Sequence, residues 1–271
     1  MRFAGVDLKE PKVMGVINVS PESFYKGSVK NSEKELVETV LRMVEEGASF
    51  IDIGAKSTAP YLETQISVEE EIRRAVWAVS TVRDYVDVPI SIDTTNSRVA
   101  EEAVRAGADV INDVTGFKGD GRMAEVAGEY GIPVVLCAHT RNINLKDPVR
   151  TAISALQESL VIAREHGIEE VAIDPAIGFL RPEWPPWYEW DSRILANLNM
   201  LKIFGKPILV GVSRKSFIGA ITGRKAEERL AGSLAATAVA VFNGANIIRA
   251  HDVRETVDAV KVAGFMGRLR G

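Results

Sequence analysis

Eight short β-rich apolar runs, each followed by a longer segment of helical periodicity, constrain this chain more than any other feature. The runs lie at 12–18 (KVMGVIN), 50–54 (FIDIG), 89–93 (PISID), 110–114 (VINDV), 133–139 (PVVLCAH), 171–175 (VAIDP), 207–212 (PILVGV) and 246–251 (NIIRAH). The helical segments lie at 33–46, 67–86, 97–106, 121–130, 149–166, 191–203, 226–243 and 254–266; in the first, Leu36, Val40, Met43 and Val44 share a face. Asn31 or Ser32 is placed to cap that segment, and Gly47 to end it. Strand then helix, eight times within 271 residues, predicts an α/β fold: a single (β/α)8 TIM barrel, with 1–271 forming one domain. An open doubly wound sheet is the rival. It usually has five or six strands and often opens on a glycine-rich phosphate turn, and no G-x-G-x-x-G follows the first run.

Composition narrows the class. Hydrophobic residues at 46% and charged residues at 26% match an ordinary globular protein. A net charge of -4 argues against a general nucleic-acid binder. The only cysteine, Cys137, rules out an intramolecular disulfide and suits a reducing cytoplasm. The N-terminus does not read as a signal peptide, and no apolar run approaches the ~20 residues that cross a bilayer. The stretch 179–190 (FLRPEWPPWYEW) follows the sixth run. It reads either as a lid or pocket wall or as a surface excursion packing its own tryptophans.

The apolar runs turn polar at their ends, in Asn18, Asp52, Asp93, Asn112 and Asp113, His139, Asp174, Ser213 with Lys215, and Arg249 with His251. In a barrel these tips meet on one rim, the layout of an active site. Arg249 and His251 share strand parity, as do Ser213 and Lys215. Lys215, Arg249 and His251 then form a cationic cluster that repels itself unless an anion binds, and phosphate is the natural guess. An ion pair from Arg249 to Asp252 is the plainer alternative. Asp93, Asn112 and Asp174 offer the opposite character and suit the N–H edges of a flat heterocycle. Asp52 and Asp113 are read as satisfying backbone groups in the rim, on the ground of opposite parity.

The motifs MGVINVSPESF (14–24), GASFIDIGAKSTAP (47–60), SIDT (91–94), INDVTG (111–116), DPAIGF (174–179), GVSRKSFIG (211–219) and GSLAATAVAVFNGANIIRAHDVRETVDA (232–259) resemble, in order, those of dihydropteroate synthases. The resemblance implies a transferase that condenses 6-hydroxymethyl-7,8-dihydropterin diphosphate with an arylamine and releases diphosphate, in folate or methanopterin biosynthesis. The amine is 4-aminobenzoate or a ribosyl phosphate derivative of it. The resemblance also implies pterin contacts from Asp93, Asn112, Asp174 and Lys215, with Arg249 against the ring. Asn18, Arg249 and His251 bind diphosphate, with Mg2+ at Asn18, and these three with Lys215 carry the chemistry. Ser216, Phe179 and the loops 20–27 and 57–60, including Thr58, form the amine side. It further implies a homodimer through the last helices. No general base is required, because an arylamine is already nucleophilic, and His139 is read as a rim histidine.

The second loop departs from the family pattern GGESTRPG, reading GAKSTAPY at 54–61. Ala59 stands where an arginine is expected and Lys56 where a glutamate is. Losing one charge-assisted contact costs roughly 1.5–3 kcal/mol, and Lys56 is placed to restore the charge. After the sixth run, Leu180 and Arg181 replace the usual glycine and lysine. These changes mark an archaeal-like divergent member altered on its amine side. Three rivals remain: a pterin-binding methyltransferase passing a methyl group from a folate to a corrinoid, which has no use for diphosphate-binding cations; a Schiff-base aldolase on Lys215; and a non-catalytic homologue.

Overall fold

The computed structural model describes residues 1–19, 33–56, 66–140, 147–182 and 185–269. Its strands are β1 (Arg2–Phe3), β2 (Val6–Asp7), β3 (Lys12–Asn18), β4 (Ala48–Gly54), β5 (Ile90–Asp93), β6 (Val110–Asp113), β7 (Val134–Cys137), β8 (Val171–Asp174), β9 (Leu209–Gly211) and β10 (Ile247–Ala250). The helices are α1 (Glu33–Glu45), α2 (Val68–Arg83), α3 (Ser97–Arg105), α4 (Met123–Tyr130), α5 (Pro148–Glu165), α6 (Trp187–Ala196), α7 (Ser216–Thr222), α8 (Leu230–Phe242) and α9 (Val253–Arg268). β3 to β10 form one sheet in the order β8-β7-β6-β5-β4-β3-β10-β9, paired in parallel. A parallel bridge between Ile173 and Ile208 brings β8 to β9 and closes the barrel.

Each of the eight apolar runs became a strand. A parallel sheet needs crossovers, and helices bury its outer face. The helix starts are written locally: Ser67 Oγ accepts from Glu70 N at 3.2 Å, and Asn96 and Asp147 take first-turn N–H groups of α3 and α5. Gly47 ends the α1 turn at φ +104, as expected; Asn31 and Ser32 lie outside the described residues. Outward-facing Ile51, Ile53, Ile92, Ile111, Leu136 and Ile173 pack against the helices. Inward-facing Met14, Phe50, Val110, Val135, Ala172, Leu209 and Ile247 fill the centre.

Besides the short helix α7 (Ser216–Thr222), two features were not foreseen. β1 and β2 form a hairpin around Ala4 and Gly5, both at positive φ. It inserts Phe3, with Leu8 following, into the central cluster. Burying Phe3 contributes roughly 1.5–3 kcal/mol, and two-residue strands leave no periodic signal. The 191–203 segment breaks at Asn197 into α6 and a 3-10 helix, Leu198–Phe204.

Candidate active site

Four strand ends stand level in the barrel. Asn18 registers with Gly54, Gly54 with Asp93, and Asp93 with Asn112. They share parity with the central filling residues and so project inward; Asp174 and Arg249, two residues after Ala172 and Ile247, follow the same rule. Gly54 leaves room for the Asn18 amide: a Cβ there would stand 2.6 Å from Asn18 Oδ1 and turn that side chain aside.

Arg249 joins the acids of this layer. Its Nε donates to Asp52 Oδ2 at 2.6 Å and its Nη2 to Asp93 Oδ2 at 2.7 Å. Asp52 is wholly buried, and Asn112 Nδ2 approaches its two oxygens at 3.5 and 3.4 Å. The expectation that Asp52 serves rim backbone is therefore overturned: position 52 lies on the face of Phe50 and Gly54. Burial opposes the Arg249 charge, but Asp52 and Asp93 more than offset it, so its proton is held more tightly than usual. Asp113 does face away. Its Oδ1 accepts from Thr115 N and Oγ1 at 2.8 and 2.7 Å, and its Oδ2 from Phe117 N at 2.7 Å. Burial raises its pKa against those bonds, and His139 nearby favours the charged form. His139 thus stands near Asp113.

Lys215 directly precedes α7 and rests on the segment leaving β8. Its ammonium donates to Ile177 O and stands 4.5 Å from the Phe179 ring centroid. Burial lowers its pKa, opposed by Asp174 and Asp191. Burial raises that of Asp174, whose Oδ1 accepts from Ala176 N at 2.7 Å. His251 Nδ1 lies 3.0 Å from Ser213 Oγ. Burial first, then Arg249, pushes the His251 pKa down to about 4, so the ring is neutral at neutral pH.

The expected cluster of three self-repelling cations is corrected accordingly. His251 carries no charge, Arg249 is held by Asp52 and Asp93, and Lys215 is offset by Asp174 and Asp191, so no anion is required to hold the group together. Nor does Arg249 pair with Asp252. Arg214 takes that carboxylate through Nε and Nη2 at 2.9 and 2.7 Å, at 5% exposure, and ties the end of β9 to the end of β10. This pair explains why SRKS and R-x-H-D occur together.

On the amine side, Ser216 Oγ accepts from Arg181 Nη2 at 2.8 Å, and the Arg181 guanidinium lies 4.0 Å from the Trp187 ring centroid. Of the 179–190 stretch, Phe179 faces Lys215 while Trp190 is fully buried in the outer core. Each of the two readings of this stretch therefore holds for a part of it. Lys56 is half-buried on the loop leaving β4. Thr58, Ala59 and the loops 20–27 and 57–60 lie outside the described residues.

Sequence reasoning missed Asp52 and Asp191. Counting by twos from Phe50 finds the first. The second lies on the apolar face of α6, four residues after Trp187 and three before Ile194, a position where a carboxylate needs a reason.

A family model described as pterin binding enzyme matches residues 14–251. The chain is 38% identical to the dihydropteroate synthase of Clostridium beijerinckii, covering 94% of each. It is 36% identical to that of Escherichia coli, over 95% of this chain and 92% of the relative. Among solved structures it is similar to a Yersinia pestis dihydropteroate synthase in complex with a sulfonamide drug (TM-score 0.89, 32% identity, 100% and 99% covered). It is also similar to a Clostridium difficile dihydropteroate synthase in the presence of pteroic acid (TM-score 0.87, 33% identity, 98% of each covered).

Proposed function

The chain belongs to the dihydropteroate synthases, within the pterin-binding enzymes, and on that premise we infer that it joins 6-hydroxymethyl-7,8-dihydropterin diphosphate to an arylamine and releases diphosphate. One observation carries the assignment to this mouth. Asn18, Asp93, Asn112, Asp174, Lys215 and Arg249 converge above a sealed apolar core, although they come from six separate elements.

Asp93, Asn112, Asp174 and Lys215 hold the pterin, and Arg249 lies against its ring. The supporting chemistry is complementarity: buried carboxylates accept from the N–H edge of the heterocycle, and Lys215 donates to its acceptors. Two of the five Arg249 N–H groups are taken by Asp52 and Asp93, and the others are available to diphosphate. Neutral His251 donates from Nε2 when its Nδ1 accepts from Ser213. As the C–O bond breaks, the pterin spreads the positive charge on its methylene, and Asp93 and Asp174 favour that cation. The amine nitrogen attacks, diphosphate departs, and the nitrogen loses its extra proton to water. Phe179, Ser216 and Lys56 line the amine side, and the part given to Thr58 rests on the resemblance alone. Arg181, tied to Ser216, adds a cation there that suits an amine bearing an acidic group, whether 4-aminobenzoate or a ribosyl phosphate derivative.

Among the described residues no group of three or more His, Cys, Asp or Glu is arranged to hold a metal. Asn18 offers one amide oxygen, which fits an Mg2+ whose other ligands are diphosphate oxygens and water. Such an ion, carried in with the substrate, would neutralise charge on the leaving group.

The same reading makes the chain one domain and a homodimer. α8 and α9 pack together and expose Phe242, Val262, Phe265 and Met266, an apolar patch that suits a second copy. No described helix is long and apolar enough to cross a membrane, and the lone buried thiol Cys137 suits a cytoplasmic site. The decisive experiment mixes purified protein, Mg2+ and the pterin diphosphate with a panel of arylamines, following diphosphate release and product mass. Formation of a pterin–arylamine product supports the reading. Pterin binding without turnover for any amine refutes it.

A further inference from the structure

The segment from Asp174 to Phe179 wraps Lys215 on three sides. Ile177 O accepts from its ammonium, the Phe179 ring lies beneath it, and its stem crosses Gly178 so closely that a Cβ there would stand 2.9 Å from Cδ. This cradle is strained, since Ala176 has φ +65. Backbone of this kind persists only where neighbours over-determine it. Two carboxylates do so: Asp174 Oδ1 takes Ala176 N, and Asp191 Oδ1 takes Gly178 N at 2.9 Å. Asp191 is fully buried, and among the described residues no hydrogen bond reaches its Oδ2. As a mere peg that is costly, because a neutral amide would accept the same N–H without burying a charge.

We propose that Asp191 is a positioning residue for Lys215: through Gly178 it fixes the cradle that sets the height of the ammonium, and its charge is a second counter-ion to it. The inference deepens the reading of Lys215 as a pterin-holding residue and rests on it. The groups acting on Lys215 are Asp174 on β8, Asp191 on α6, Cys137 on β7 and Arg249 on β10. Those acting on Asp191 are Lys215 and Arg181, and burial, the largest influence, raises its pKa to about 6. Above that pH its charge helps Lys215 keep its proton.

The test uses D191N, which retains an acceptor for Gly178 but loses the charge, and D191L, which loses both. Binding of the pterin diphosphate is titrated from pH 6 to 10. At pH 7, D191N should bind within about threefold of wild type, and its alkaline loss of binding should begin about half a pH unit or more lower. D191L should bind about tenfold more weakly, with arylamine KM less affected. The ligand's own ionisation is common to all variants and cancels. An alkaline limb of D191N at its wild-type position, or unweakened binding by folded D191L, overturns the inference. If D191L does not fold, the D191N limb decides alone. K215M is the control: if it leaves pterin binding intact, the underlying reading of Lys215 fails, not merely the role of Asp191.

Discussion

Replacing Arg249 by Met keeps bulk in the barrel mouth and removes the guanidinium that bridges Asp52 and Asp93. Both carboxylates are at least 96% buried, at 0% and 4% exposure, and both lie within 2.7 Å of that group. Breaking a buried pair by deleting one partner costs about 3–5 kcal/mol. At about 2.1 cal/mol/K per residue, 271 residues give a melting entropy near 0.57 kcal/mol/K, so Tm should fall by about 5–9 °C. The pH dependence is the sharper signature. Without the cation, at least one of the two acids keeps a proton in the folded variant, while the unfolded chain ionises near pH 3.9. A folded pKa raised in this way gives stability that is present at low pH and lost as pH rises. Between pH 5 and 7 the variant should therefore lose up to about 1.4 kcal/mol per pH unit relative to wild type. Urea unfolding followed by tryptophan fluorescence at pH 5, 6 and 7 measures this. A deficit constant across that range refutes the shared-counter-ion account. Unchanged pyrophosphate affinity in the same variant refutes the anion role of Arg249.

Two further outcomes follow from the same geometry. Gly178→Ala places a Cβ against Lys215 at φ +81, costing about 1–2 kcal/mol in backbone strain alone. Calorimetric titration should show pterin diphosphate binding weakened by about tenfold and arylamine binding less so; an equal loss of both contradicts the cradle. His251→Gln tests the neutral imidazole. With a folded pKa of about 4 and an unfolded value near 6.5, the unfolded wild type binds the extra proton between those pH values. Wild-type stability therefore falls as pH drops through that window, and the variant should show a shallower fall between pH 7 and 5 in urea midpoints; identical slopes rule the depressed pKa out.

Most of the architecture was legible because its causes are local. Buried parallel strands must be continuously apolar, so the run 12–18 reproduces Lys12–Asn18 without error. The polar tips stood out against that background, and all the described ones except Asp113 and His139 belong to the mouth or border it. Illegible were the features with no local cause. The β1–β2 hairpin is too short for periodicity and is held by the centre it plugs. Asp52 was misassigned by a parity slip that register corrects: it pairs with Val16 and Ser91, one level below Gly54 and Asp93.

From the amino-acid order alone came the barrel, the rim residues and the pterin chemistry, because each strand's apolar run and polar end are written within that strand and the family motifs are contiguous. Only the closed structure decided which charge answers which. Arg249 meets Asp52 across 197 residues, because β10 lies next to β3, which pairs in turn with β4. Burial beside Arg249 takes the charge from His251. Ion pairing and desolvation depend on distance and solvent exclusion, and both exist only once the barrel has closed.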